Sequence, residues 1–566
     1  MKESEIEILE RQGCFSSDWS KVEIADGTDL SKIRNVYFSG PVKVGKDAVI
    51  INVPGGLSNV RIGDGARIVN VARIENTATP AFGLGIDVAV LDETGTRPVR
   101  IYPGISAQIA AIAARMPEYA REKLIPMTDR HISEIAGNLK DMPEIGANAE
   151  IRDCGPIIDV RVWPGVKIEG AARLKNGSIV NNAWRDGLSV KSQELSVKDE
   201  GVKVKEGIAY VGHGVDAENF IIEDGMVSGG SLIRDTYVGQ GSVLDKGFTS
   251  HDSLFFANCS MENGEACAVL AGPYTVSMHK SSLLIGCQTA FMNAGSGTNM
   301  SNHMYKLGPV HWGVLERGVK TSSNSYLMHG SRIGAFSLVM GEHKTHPDTS
   351  EFPFSYLFGD KDGSTIVVPG AMLKSFGLKR DGEKWPKRDR RLGHGIKLND
   401  RMTYSILNPY TTDMILRGIE TIKSLKADQA EEDGFINYKG LKIKPTSLEK
   451  GLRLYQLALC KYIRSIDNKE ISEPSKRGAD SNEGWIDLLG YVISESGFNA
   501  ALNAGSVEEM EAALDNSALG RGKDLRLELP LTEIEKGALE FDAMVENDRT
   551  ASVDQITREN DMLSLS

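Results

Sequence analysis

Aliphatic residues recur along this chain in a short motif: aliphatic, Gly, two free positions, Ala or Ser, one free position, aliphatic. It reads VGKDAVI from Val44, IGDGARI from Ile62, IGANAEI from Ile145, VGQGSVL from Val238 and IGAFSLV from Ile333. Longer ladders place an aliphatic residue at every sixth position: Ile62, Ile68, Ile74; then Val162, Ile168, Leu174, Val180; then Val215, Ile221, Val227, Ile233. The last two ladders each span eighteen residues, three sixes, which predicts one triangular coil. Each short strand turns one aliphatic side chain inward, the small Ala or Ser fits an inner corner, and Gly permits a backbone bend. One coil cannot bury a core alone, but a stack of coils can. A β-sandwich also alternates apolar and small residues, yet it does not predict a six-residue period within an eighteen-residue one. The expected fold is mainly β: a left-handed parallel β-helix over residues 41–392, after an N-terminal segment of residues 1–40.

The rhythm is interrupted once and then lost. In PGISAQIAAIAARMPEYAREKL, alanines and aliphatics recur at three and four, which predicts a helix from Ile105 to Leu124 inside an insertion of residues 104–142. Beyond Leu392, Asn408-Pro409 reads as a helix start, and Thr446 with Glu449, Ser506 with Glu509 and Thr532 with Glu535 form capping-box patterns. Leu448, Leu452, Tyr455, Leu459, Tyr462 and Ile463 share one helical face. Residues 393–548 are therefore expected to form an α-helical domain packed on the stack, where it would cap the exposed strand edge, or on a neighbouring subunit. The polar tail, residues 549–566, is expected to be disordered.

Charge and cysteine usage narrow the setting. A net charge of -12 argues against a general nucleic-acid binder. The N-terminus MKESEIEILERQGCF lacks a secretory signal, and no stretch is long and apolar enough to span a bilayer, so a soluble cytoplasmic protein is expected. Cysteines 14, 154, 259, 267, 287 and 460 form no CxxC pair and read as reduced, mostly buried thiols.

Candidate chemistry concentrates between His251 and His346, which hold seven of the ten histidines. Histidine titrates near neutrality and is suited to take a proton from an attacking amine or hydroxyl. His303, His311 and His343 are the candidate bases, with Glu316 to fix a tautomer. Asn299, Asn302, Arg317, Lys320, His329, His346 and Asp348 are candidate substrate contacts. The stretch MGEHKTHPDTSEFPFSYL, Met340 to Leu357, is expected to leave the coil stack as a loop, with His343, His346 and Asp348 facing a site and Phe354, Tyr356 and Leu357 packing back. The bland alternative is that such histidines cap turns or pack on aromatic rings. The run KRDGEKWPKRDRR carries seven basic and three acidic residues. Its Lys379, Arg380, Lys387, Arg388 and Arg390 are suited to phosphates and its Trp385 to stacking, although a salt-bridged hinge would use the same residues.

From Pro41 to about Gly370 the repeats resemble the hexapeptide-repeat acyltransferase superfamily. Within it, GTNMSNH, HWGVLERGVK, HPDTSEFPFSYL and KWPKRDRR are similar to a family of large bacterial proteins known only as a domain of unknown function. The superfamily resemblance implies a trimer, coenzyme A or acyl-CoA as donor, and a sugar, nucleotide sugar or small amine as acceptor. Some β-helices of this type instead bind zinc through three histidines for γ-carbonic-anhydrase chemistry, which here would need His343 and His346 on one face and a third ligand from His279, His303, His311 or another subunit. A non-catalytic scaffold or ligand-binding solenoid is the third reading. The chain is about twice the length of the common enzymes, and PGGLSN at Pro54 precedes a repeat unit rather than a helix, so a nucleotidyltransferase half is not expected.

Overall fold

Short strands, many pairing in parallel with a strand sixteen to eighteen residues earlier, build a large sheet. In its computed structural model the described residues are 1–182, 184–185, 188–189, 194–195, 204–205, 209–301, 308, 310–392, 395–428, 433–470, 484–516 and 530–564. The chain divides into two units, Met1–Gly286 with Asp389–Asp400, and Cys287–Arg388 with Arg401–Ser566.

In the first unit, helix α1 (Glu3–Arg11) precedes a large parallel sheet that begins at Phe15–Ser16, inside the segment the sequence reading set apart as 1–40. The inward column Ile50, Ile68, Ile151, Ile168 is formed by direct register partners, all fully buried. The period is eighteen residues at first, as in Val42 with Val60. It then shortens: Val162 pairs with Ile179 rather than Val180, and Leu232 with Thr249. Burial of one aliphatic residue per strand fixes the ladder, and the corner length adjusts around it.

The corners explain the motif differently from expectation. The left-handed residue is the second free position, Asp47 at φ 57°, Gly65 at 66° and Asn148 at 54°, types that tolerate this region. The invariant-looking first glycine instead permits close approach of backbones. A Cβ on Gly63 would lie 2.5 Å from the Ala147 nitrogen, and one on Gly146 would lie 2.3 Å from the Pro164 nitrogen. A second corner is held by an amide ladder: Asn35 donates to Asn52 (2.9 Å), Asn52 to Asn70 (2.8 Å) and Asn70 to Asp153 (2.8 Å). All four residues have positive φ.

Two long steps interrupt the parallel pairing of the first unit, Arg67 with Glu150 and Lys167 with Tyr210, and the first encloses a described insertion. It holds the hairpin Asp87–Ala89 with Pro98–Arg100, helix α2 (Ala107–Arg115) and helix α3 (Ile125–Leu139). The helix expected over Ile105–Leu124 is thus split, and α2 stops before Pro117, whose ring cannot continue it. Every residue of α2 from Ala107 to Ala114 is buried. Its exposed backbone ends are satisfied by opposite charges: Asp400 accepts the Ala107 N–H (2.7 Å), and Arg97 donates to the Ala114 carbonyl (2.9 Å).

The second unit also pairs in parallel, with Leu315 on Ile333, Lys320 on Leu338 and Val339 on Leu357. Met340 to Leu357 therefore remains in the stack, where a loop was expected. Strand Tyr356–Gly359 turns back onto antiparallel Thr365–Val368, which in turn pairs with Leu441–Ile443 of a C-terminal hairpin. The edge of the parallel stack is covered by strands, and the unit also holds six helices among its described residues. These are α4 (Phe376–Lys384), α5 (Pro409–Asp428), α6 (Pro445–Glu470), α7 (Glu495–Leu502), α8 (Val507–Asn516) and α9 (Leu531–Ser564). The α9 range includes most of the tail read as disordered. Asn408 caps α5 by accepting the Thr411 N–H at 3.0 Å, and Tyr455 of α6 is buried, donating its hydroxyl to the Pro353 carbonyl (2.7 Å).

Gly63→Ala is expected to lower unfolding stability by about 1–3 kcal/mol, the range for forced overpacking. Gly137→Ala in α3, where a Cβ meets nothing within 4 Å, is expected to be neutral or stabilising by about 1 kcal/mol. Denaturant titration of both variants checks the contrast.

Candidate functional site

The second unit brings a histidine column to one corner of its stack. His329 N–H bonds the Ser301 carbonyl (3.3 Å), while the adjacent Gly330 N–H bonds the Trp312 carbonyl (2.9 Å). Ser301 and Trp312 thus flank one corner. His303 and Asn302 lie outside the described residues. On the next turn, Arg332 N–H bonds the Pro347 carbonyl (2.8 Å), and His346 Nδ1 lies 2.6 Å from the His329 carbonyl. His311, His329 and His346 therefore occupy successive levels of the same corner, about 4.8 Å apart in strand spacing.

Their environments differ sharply. His311 is exposed, and its Nδ1 lies 3.0 Å from the Gly308 carbonyl. A carbonyl only accepts, so Nδ1 carries the proton and Nε2 presents its lone pair. His346 is half-buried with Nδ1 fixed in the same way, and His329 is buried. His343 belongs elsewhere. It continues the interior column Met300, Leu327, His343, is fully buried, and places Nδ1 2.8 Å from Thr365 Oγ1. Its Nε2 is buried without a hydrogen-bond partner among the described residues. Desolvation pushes its pKa down to about 4. Among the described residues these histidines do not converge into a three-ligand metal group.

The other candidates are engaged in local structure. Glu316 is buried, takes two bonds from Arg332 (2.9 and 3.0 Å) and one from the Tyr410 hydroxyl (3.0 Å). Burial raises its pKa, with Arg332 opposing. Arg317 is fully buried, donates to the Thr403 carbonyl, lies 3.2 Å from Asp487, and stands over Phe291 (5.4 Å) and Phe336 (5.9 Å). Lys320 pairs with Asp381. Asn299 Oδ1 accepts from Ser301 Oγ (2.7 Å), and Asp348 holds a turn through the Ser350 N–H (3.0 Å) and hydroxyl (2.6 Å).

The basic run divides. Lys379 and Arg380 on α4 and Lys387 and Arg388 on the following turn are exposed. The Trp385 ring packs on Phe291 (4.7 Å) and Phe336 (6.4 Å), where a free stacking platform was expected. Arg390 belongs to the first unit, where it donates to the carbonyls of Asn258 (2.9 Å) and Cys259 (3.2 Å). Phosphate recognition would therefore rest on the four exposed cations.

Sequence reading missed a carboxylate group in the first unit: Glu223 and Asp224, with Asp400. Asn182 Nδ2 donates to both Glu223 (2.8 Å) and Asp224 (2.9 Å), and Asn399, beside Asp400, donates to Glu223 (2.9 Å). The available signal was FIIEDGM, two adjacent acids inside an apolar run.

Among known proteins, a family model described as "Domain of unknown function (DUF4954)" matches residues 1–60 and 44–426. An uncharacterized protein of Treponema pallidum (strain Nichols) is 24% identical over 439 residues, covering 69% of this chain. The match spans 57% of that relative's length.

His343 is expected to make the fold sensitive to acid. Its folded pKa lies below the ordinary 6.5, so the unfolded chain takes up the proton first. Stability should fall as pH drops from about 6.5 toward about 4, and His343→Gln should flatten that slope in denaturant titrations at pH 7 and 4.5.

Proposed function

The chain belongs to the family described as a domain of unknown function (DUF4954), and from that premise we propose an acyltransferase built on a left-handed parallel β-helix of the hexapeptide-repeat type. The active assembly is a trimer, the donor a coenzyme A thioester, and the acceptor a hydroxyl or amine on a sugar, nucleotide sugar or small amine. Parallel turns of 16–18 residues, as in Asp216 with Leu232 and Val42 with Val60, support the fold reading.

The observation that carries the chemistry is His311: an exposed imidazole whose Nδ1 is tied to a backbone carbonyl, leaving Nε2 free to accept a proton. In the proposed reaction Nε2 takes the proton from the acceptor as its oxygen or nitrogen attacks the thioester carbonyl. The tetrahedral oxyanion then collapses, the carbon–sulfur bond breaks, and the imidazolium returns the proton to the departing thiolate. Lys379, Arg380, Lys387 and Arg388 would bind the donor phosphates. His343 takes no part in proton transfer, because the fold keeps it neutral and away from solvent.

Calorimetric titration with coenzyme A, followed by acetyl transfer assays against a panel of amino sugars and sugar nucleotides, tests this reading. His311→Ala should retain coenzyme A binding while turnover falls about 10²–10⁴-fold, the usual contribution of a general base. Lys387→Ala with Arg388→Ala should weaken coenzyme A binding and leave turnover at saturation unchanged. Absence of coenzyme A binding at millimolar concentration, or full activity in the His311 variant, would overturn it; the first result would favour a scaffold.

A further inference from the structure

An exposed aromatic residue opens the large sheet of the first unit. Phe15 is 58% exposed, and its register partner Tyr37 stacks against it, with ring centroids 5.5 Å apart and planes 26° from parallel. One rung further on, PGGLSN supplies a bulge. Val36 pairs with Val53 and Phe38 with Leu57, so the stretch from Val53 to Leu57 is two residues longer than the strand it faces. Bulges of this kind recur beside functional sites. The two glycines keep the surface there bare. A Cβ on Gly56, at φ 103°, would lie 3.2 Å from the Tyr37 ring, and one on Gly55 would lie 3.1 Å from the Arg73 Cβ. Phe15, Tyr37, the glycine bulge and Arg73 therefore follow one another over four rungs of one outer face, about 14 Å at a strand spacing of about 4.8 Å.

We propose that this face binds an extended acidic oligosaccharide, with one pyranose ring laid on Phe15, the chain passing over the glycine bulge, and a uronate carboxylate held by Arg73.

Each part of the face suits one part of such a ligand. The electron-rich face of an aromatic ring attracts the polarised C–H groups of a pyranose. One sugar residue advances an extended glycan by close to one rung spacing, so successive residues meet successive rungs. Bare backbone at Gly55 and Gly56 admits a chain that side chains there would obstruct. Arg73 supplies the charge: its Nε is shielded from solvent without a hydrogen-bond partner among the described residues, and its guanidinium reaches Glu75 only at 3.5 Å. An arginine so incompletely paired is suited to a carboxylate, which accepts two parallel bonds from the guanidinium fork. A purely apolar partner would leave that cation unmatched, and a net charge of -12 disfavours nucleic acid. This face lies in the first unit and shares no residue with the proposed acyl-transfer site, which lies in the second.

Saturation-transfer NMR on the full chain tests the face, with tetragalacturonate, cellotetraose and a thymidine tetranucleotide as probes at millimolar concentration. Tetragalacturonate should receive saturation on its ring protons and bind about ten-fold more tightly than cellotetraose, the scale of one charge-assisted contact. Phe15→Ala should weaken its binding about ten-fold, and Arg73→Gln should bring the two sugars to equal affinity. Circular dichroism melting confirms that each variant is folded, and Tyr37→Leu serves if Phe15→Ala is not. Absence of transfer to tetragalacturonate, equal wild-type affinity for the two sugars, tighter binding of the tetranucleotide, or unchanged affinity in the folded variants would overturn the proposal.

Discussion

Close approach of backbone to backbone at the corners is the constraint on which this architecture rests. Parallel strands only a few residues long bury few side chains each, so their stacking requires the backbones to approach closely where one strand bends into the next. Gly63 and Gly146 meet it by lacking a Cβ, which would stand only 2.3–2.5 Å from the next backbone. Asp47 and Asn148 meet it by accepting a left-handed conformation. The same corners are where chain can leave the stack without breaking a column. The insertion that follows Glu75 departs and returns without disturbing the register on either side, Ile68 still pairing with Ile151 and Ile74 with Ile157. A repetitive core thereby gains non-repetitive surface, and surface of that kind is where chemistry is placed.

Buried charge performs a second, different task. In the first unit Asp400 and Arg97 sit at opposite ends of a helix that is buried on every side, meeting the partial charges that its termini expose. In the second unit Arg317, on the turn between Gly313–Leu315 and Lys320–Thr321, reaches Thr403 and Asp487 between two aromatic rings. Each of these charges would be costly if left alone in the interior. Each is used to fix segments that hydrophobic contact alone would hold less specifically.

Burial also separates residues that look equivalent in sequence. His311 and His343 both lie within a few residues of glycine, yet one presents a ring nitrogen to solvent and the other takes the place of an aliphatic residue in an interior column. Trp385 divides the basic run in a similar way, because its ring is committed to Phe291 and Phe336 while the neighbouring cations remain outside. Proximity in sequence reports on composition; exposure decides which side chains can exchange protons or meet phosphate.

The sequence by itself determined that the chain is a stack of short aliphatic strands with an alanine-rich helical insertion and capped helices near its C-terminus. Periodicity is a local property, and one buried residue per strand writes it directly into the order of side chains. It also marked the segment where histidines gather. Tertiary structure alone decided which histidines share a corner, that Met340 to Leu357 remains in the stack, and that antiparallel strands cover its edge. It alone assembled Glu223, Asp224 and Asp400, since Asp400 lies far along the chain from the other two. Those outcomes depend on register and desolvation, which arise when distant segments pack and leave no periodic trace in the sequence.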